Sequence, residues 1–179
     1  MQNWTFGIAL LGAIVGTASL TWNVVQFLLA GPRPKAHLIV GAVSPGRNLV
    51  SGPPSAAIFE TFARLATEGY TQRVIGVKVV NHGRAPTRVQ RWSVKCMKSG
   101  IALAPMADAI GPKLPYDLAP QANETWVVDF QAAYALVHAT AKTFDQRPEP
   151  VRVVVELGTG KTLVSKETLM IPEKPENSS

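Results

Sequence analysis

The chain has 179 residues, a formal net charge of +6 and a single cysteine. One cysteine excludes an internal disulfide framework and a cysteine-rich zinc site. The positive charge permits contact with anionic lipid or nucleic acid, but it is too dispersed to require either. Without its apolar N-terminal run, the chain has the length of one domain.

The first predicted element is the uncharged, mostly apolar run at residues 5–30. About 20 apolar residues suffice for a helix to cross a bilayer, so residues 1–31 are predicted to hold a single transmembrane helix. A cleaved signal peptide is the rival interpretation, and it would have a basic N-terminal flank and a shorter apolar core. Met1 to Trp4 contain no basic side chain. We therefore favour an uncleaved anchor in the lipid bilayer.

One stripe of this helix is small or polar, at alternating steps of four and three residues. Its central members are Ala9, Gly12, Gly16, Ser19, Asn23 and Gln26. In lipid, small residues let two helix backbones approach, and amides form hydrogen bonds across the gap. The stripe predicts a homo-oligomer through the transmembrane helix, with a lone anchor as the alternative.

No basic residue precedes the helix. The basic residues that follow it are Arg33, Lys35 and Arg47. Because Lys and Arg near a span are retained on the cytoplasmic side, we expect the N-terminus outside and the domain in the cytoplasm. The expected location is the cytoplasmic (inner) membrane of a bacterium. An extracytoplasmic domain that binds a ligand or partner, with reversed topology, remains the alternative.

Residues 32–35 are predicted to be a short stiff linker, because proline cannot continue a helix. The domain is expected at 36–171, followed by a disordered polar tail at 172–179. Helical spacing predicts helices at 55–68, with Ser55 as its cap, and at 130–142, with Asp129 as its cap. Alternation of apolar and polar residues predicts strands at 36–42, 74–80, 87–96, 101–107, 125–130, 151–157 and 161–171. Loops are expected at 44–54 and 114–124.

The strands at 74–80 and 87–96 are separated by Asn81-His82-Gly83-Arg84-Ala85-Pro86. These turn-forming residues predict a hairpin. Val89 falls on the wrong face relative to Trp92, which predicts either a bulge or a late strand start near Gln90. Strands at this spacing, joined mostly by turns, favour an antiparallel sandwich.

Several stretches carry a family resemblance: VKVVNHGRAP, the Trp-bearing strand after it, DLAPQANETW and VRVVVELGTGKTL. Together with the anchor, they resemble the small bacterial and phage membrane-anchored proteins that carry an immunoglobulin-like β-sandwich. The resemblance covers residues 73–165 and implies a transmembrane helix plus a mainly-β, immunoglobulin-like domain. The two helical inserts depart from a simple sandwich, and no functional residues carry over.

Six cations with no acidic residue among them lie on or beside the predicted hairpin: Lys78, Arg84, Arg88, Arg91, Lys95 and Lys98. They predict a surface that contacts anionic lipid headgroups. The alternative is an edge hairpin that charge protects from aggregation. Nucleic acid is disfavoured as a partner, because aromatic residues are not interleaved with these cations.

No catalytic or metal-binding pattern accompanies the three histidines, His37, His82 and His138. Residues 158–161 contain a Gly-Thr-Gly-Lys turn, but a phosphate loop would be followed by a helix, and here a strand follows. Cys96 shares the inward face of its strand and is expected to be a core thiol. We expect no cofactor and no enzymatic activity, but an interaction module for a protein partner that the sequence does not identify. A phage-encoded membrane accessory protein is the alternative that rests on the resemblance.

Overall fold

The structure is a computed structural model that describes residues 2–55, 57–106 and 109–172. In chain order its elements are α1 (Gln2–Ala30), β1 (Pro34–Val43), β2 (Leu49–Gly52), α2 (Ile58–Thr67), β3 (Gln72–Asn81), β4 (Thr87–Cys96), β5 (Ala102–Leu103), β6 (Tyr116–Leu118), β7 (Asn123–Asp129), α3 (Phe130–Thr143), β8 (Val151–Leu157) and β9 (Thr162–Val164). The predicted tail lies outside the described residues, apart from Pro172.

The apolar N-terminal run is one continuous helix. Residues 6–27 of α1 are long and apolar enough to cross a membrane, and none of this stretch is buried by the rest of the protein. A signal sequence near the N-terminus can also form a long apolar helix, so the helix by itself defines a candidate span.

The described residues after α1 form a mainly-β domain of two antiparallel sheets. The first sheet has the order β2-β1-β3-β7, and the second has the order β5-β4-β8-β9 with β6 also paired to β4. Apolar residues on the inner faces of both sheets form one buried cluster that includes Leu38, Ile75, Trp126, Trp92 and Val153. The predicted alternation is confirmed where it is strongest, because Val151, Val153, Val155 and Leu157 are all buried.

The predicted hairpin between residues 74–80 and 87–96 is wrong. β3 pairs with β1 and β7, whereas β4 pairs with β5, β6 and β8. Residues 82–86 therefore carry the chain from one sheet to the other. Both strands have a buried, mainly apolar face, and placing them in opposite sheets lets those faces pack in one core. The predicted bulge is confirmed, since the register with β8 shifts between Val89 and Arg91.

Other differences concern short elements that local patterns do not distinguish from loops. The predicted loops at 44–54 and 114–124 contain β2 and β6. The strands predicted at 101–107 and 161–171 shrink to β5 and β9, and residues 107–108 are not described. The linker predicted at 32–35 is already part of β1 from Pro34 onwards.

Both predicted helices are present in the domain. The cap of α3 is confirmed, since Asp129 accepts a hydrogen bond of 2.7 Å from the Gln131 backbone. The prediction that Ser55 caps α2 is wrong, because the N-cap residue is Ala57, which makes no side-chain hydrogen bond. Phe59, Phe62 and Phe130 pack edge to face, with ring centroids 5.6 to 6.2 Å apart. These rings join the two helices at the end of the domain where β1 stops. We call this end of the domain the distal end. We call the opposite end, where β1 begins, the proximal end.

Candidate interaction surfaces

The surface of α1 is the largest exposed apolar surface in the described part of the chain. Phe6, Trp22 and Phe27 are 72, 63 and 80% exposed. An apolar surface of this kind marks contact with a membrane or a partner. The six predicted contact residues of the small stripe are likewise exposed, and a side chain built at Gly12 or Gly16 would meet no atom within 4 Å. That stripe is therefore open to another helix.

A second group of small residues lies on a different side of α1. Ala13, Thr17, Ala18 and Thr21 line a shallow groove together with larger neighbours. The Thr17 hydroxyl donates to the Ala13 carbonyl and the Thr21 hydroxyl to the Thr17 carbonyl, both at 2.8 Å. Since these hydroxyls are bonded within their own helix, this side offers fewer free polar groups than the stripe with Asn23 and Gln26.

The six predicted cations do not form one surface, because the strands that carry them belong to different sheets. Lys78 lies opposite His37 on the outer face of the first sheet. Arg88, Arg91 and Lys95 lie on β4 in the second sheet. Arg84 lies in the connection at the proximal end. Lys98 lies past the other end of β4, about 30 Å away for a strand of this length.

Two of the cations on β4 have acidic partners. Arg91 Nε donates to Glu156 Oε2 at 2.7 Å, and Arg88 lies 3.9 Å from Asp117. The hydrogen bond that Arg91 donates to Glu156 raises the pKa of Arg91. Lys95, in contrast, lies directly opposite Arg152 of β8. The outer face of the second sheet thus alternates ion pairs with a like-charge pair, so it is less basic than the sequence of β4 alone indicates.

The three histidines occupy separate places. His37 Nδ1 lies 2.9 Å from Glu167 Oε1, and this carboxylate also accepts from the Leu38 backbone at 3.4 Å. Burial acts to raise the pKa of Glu167, but the bonds from His37 and Leu38 outweigh it and the pKa lies below its usual value. His82 is exposed at the proximal end, and His138 contacts the Pro172 carbonyl. Among the described residues, no group of three His, Cys, Asp or Glu is arranged to hold a metal ion.

The buried carboxylate of Glu149 has a structural setting. It precedes β8 and accepts hydrogen bonds from the backbone of Lys98 and Ser99, in the turn after β4. Burial alone would raise the pKa of Glu149, but hydrogen bonds from Ser99 and Lys98 hold it below its usual value. Burial raises the pKa of the adjacent Cys96 thiol, whose side chain is fully buried as predicted.

The proximal end is organised by one buried amide that the sequence analysis did not single out. Asn81 Oδ1 accepts from the backbone of Arg33 at 3.1 Å and of Gly83 at 3.0 Å. Its Nδ2 donates to the Ala85 carbonyl at 2.8 Å and to the Ala119 carbonyl at 3.2 Å. Asn81 therefore ties three segments together: the chain leaving α1, the connection between the sheets, and the loop before β7.

Shallow cavities accompany these surfaces. One of about 310 Å³ lies between α2 and the C-terminal segment and is lined by Ile58, Phe59, Leu169 and Met170 among others. Another of about 340 Å³ lies beside Trp126. Among the described residues that line these two cavities, there is no acidic side chain, histidine or cysteine.

Comparison of the chain with protein-family models, with curated proteins and with solved structures finds no match. Function is therefore inferred from the fold and from these surfaces.

Proposed function

We propose that this chain is a non-enzymatic, single-pass membrane protein that presents a β-sandwich interaction module close to the bilayer. The observation that carries the proposal is the unburied apolar surface along residues 6–27. A signal peptide has an apolar core of only 7 to 15 residues, which supports an anchor that is retained. The domain then serves as the part that meets a protein partner.

We further propose that the domain is a divergent immunoglobulin-like sandwich. The order β1-β3-β7 corresponds to strands A, B and E of that fold, and β5-β4-β8-β9 corresponds to C′, C, F and G. Trp92 is buried on β4, the position of strand C, where immunoglobulin domains also place a buried Trp. The helices α2 and α3 are then inserts between strands A and B and between E and F.

The orientation proposed is N-terminus outside and domain in the cytoplasm, as the basic residues after α1 favour. A cytoplasmic fluorescent reporter fused to the C-terminus should be active, and alkaline phosphatase at the same place should be inactive. The fusion should stay in the membrane pellet after alkaline carbonate extraction. As a matched control, Arg33→Gln and Lys35→Gln combined with two lysines inserted after Met1 should raise phosphatase activity. A soluble or secreted fusion would refute the anchor, and strong phosphatase activity from the wild type would reverse the orientation.

We also propose that α1 self-associates through the stripe of Ala9, Gly12, Gly16, Ser19, Asn23 and Gln26. Alternating steps of four and three keep one face on a partner when two helices wrap left-handedly at a shallow angle. Interhelical polar contacts contribute only about 0.6 kcal/mol on average, so close approach at the two glycines should matter most.

Replacing Gly12 and Gly16 together by Ile should abolish association in a membrane two-hybrid assay. The pair Ile14→Leu and Val24→Leu changes large apolar residues off the stripe and should leave association intact. Thr17→Ile with Thr21→Ile tests the other small-residue side. If the glycine variant associates like the wild type while the threonine variant does not, the contact lies on the side of Thr17 instead.

A further inference from the structure

The proximal end of the domain must lie close to the lipid headgroups if α1 spans the membrane. α1 ends at Ala30, about 4.5 Å beyond the last residue of the apolar stretch. β1 begins at Pro34, four residue steps beyond Ala30, and four steps span at most about 14 Å. The headgroup layer is about 5 to 8 Å thick on each side of the hydrocarbon. The start of β1 therefore lies no more than about 10 to 14 Å beyond the headgroup layer, even with this connection fully extended.

The short connection is also held against the domain. The Arg33 backbone donates to Asn81 and accepts from the His82 backbone at 3.1 Å. A side chain at Gly83 would lie 2.4 Å from the Gly31 carbonyl oxygen. Because residues 31–33 and the connection between the sheets touch directly, both lie on the side of the domain that faces the membrane.

The turn between β8 and β9 lies at the same end. The Gly158 backbone donates to the Arg88 carbonyl at 2.7 Å, next to the start of β4. The Leu157 backbone donates to the Lys161 carbonyl at 2.9 Å, which closes this turn. In immunoglobulin variable domains the loops in these two places, B–C and F–G, belong to the ligand-binding end. Here that end faces α1.

Four exposed cations lie at this end, on segments far apart in sequence. They are Arg33, Lys35, Arg84 and Lys161. The ion pairs among the described residues involve none of them. Arg88 is also nearby, but it lies opposite Asp117. Glu124, which is half-buried near the start of β7, is a further acidic residue toward this end. The distal end carries Glu60, Arg64 and Glu68, on α2 and the residue after it.

We propose that Arg33, Lys35, Arg84 and Lys161 form a lipid-facing surface that binds anionic headgroups of the bilayer that α1 spans. The inference rests on the proposed membrane anchor and replaces the predicted hairpin surface. Lys78, Arg91, Lys95 and Lys98 play no part in it, because they lie on the outer sheet faces or at the distal end. The surface holds the domain upright on the bilayer, with the distal end directed at a partner.

The test uses the full chain in liposomes of phosphatidylcholine and phosphatidylserine. Electron paramagnetic resonance of spin-labelled lipids gives the relative association of the two headgroups with the protein. The wild type should prefer phosphatidylserine, and added salt should weaken the preference. A basic residue near an anionic surface changes affinity about fivefold, so Arg84→Gln with Lys161→Gln should lower the preference several-fold. Lys95→Gln with Lys98→Gln removes the same charge elsewhere and should leave it unchanged.

Flotation of the liposomes after an alkaline wash tests the membrane anchor separately from the lipid-facing surface. A wild-type protein that fails to float with either lipid composition overturns both the anchor and the lipid-facing surface. If the protein floats but the Arg84 and Lys161 variant keeps the wild-type preference, the lipid-facing surface is refuted and the anchor stands. An equal loss of the phosphatidylserine preference in the Lys95 and Lys98 variant would also refute the lipid-facing surface, because the preference would then depend on net charge alone.

Discussion

Replacing Asn81 by Ala in a soluble fragment of residues 31–179 is expected to lower the free energy of unfolding by about 3 to 5 kcal/mol. The side chain is fully buried and makes four hydrogen bonds. Removing it leaves two backbone N–H groups and two carbonyls without these partners. The fragment starts at Gly31 because residues 31–33 pack on the turn that Asn81 holds. Urea denaturation followed by tryptophan fluorescence measures the change.

Two further variants make this expectation specific. Asn123→Ala removes an exposed amide from the start of β7, and surface changes of this kind usually alter stability by less than about 0.5 kcal/mol. Asn81→Asp keeps the acceptor toward Arg33 and Gly83 but places an oxygen against the carbonyls of Ala85 and Ala119. It should therefore destabilise the fragment at neutral pH despite its similar shape. A loss below about 1 kcal/mol for Asn81→Ala would mean that water replaces these bonds and that the amide does not organise the proximal end.

The role of Asn81 illustrates what the sequence does not reveal. Asn81 begins a stretch of turn-forming residues, and a hairpin was the natural local interpretation. Two of its four hydrogen-bond partners, Arg33 and Ala119, are 48 and 38 residues away. Strand pairing and the clustering of Arg33, Arg84 and Lys161 depend on such distant contacts. No alternation or turn pattern encodes them.

Most patterns confined to one element were reliable because they depend on neighbouring residues alone, although the predicted Ser55 cap of α2 was wrong. The inward faces of β1, β7 and β8 follow directly from alternation, since each strand has to bury one face. The cap of α3 by Asp129 is a contact across two residues, and it was predicted correctly. The prediction that Arg91 points outward from β4 was correct. Its partner Glu156 lies 65 residues away, and the ion pair was not predicted.

A second large effect is expected at Gly76, in the middle of β3. A Cβ there would lie 2.0 Å from the Trp126 carbonyl oxygen and 2.7 Å from the Val127 Cα. Both are backbone atoms of β7, so neither can rotate away as the end of a side chain can. Ile39, Val43, Val74 and Val127 form a second buried cluster on this outer face of the sheet. The close approach of β7 over the glycine helps to bury that cluster.

Gly76→Ala is therefore expected to cost at least about 3 kcal/mol in the same fragment, the upper range for an overpacked site. β7 carries Trp126 and Val128 into the main core and cannot shift without disturbing both.

Gly41→Ala creates a similar clash, 2.1 Å from the Val50 carbonyl oxygen, but β2 is a short exposed edge strand that can move. Its cost should be about 1 to 2 kcal/mol. Gly52→Ala meets nothing within 4 Å and should be neutral or stabilise by up to about 1 kcal/mol. Equal stability of the Gly76 and Gly52 variants in urea would show that β7 does not lie this close to β3.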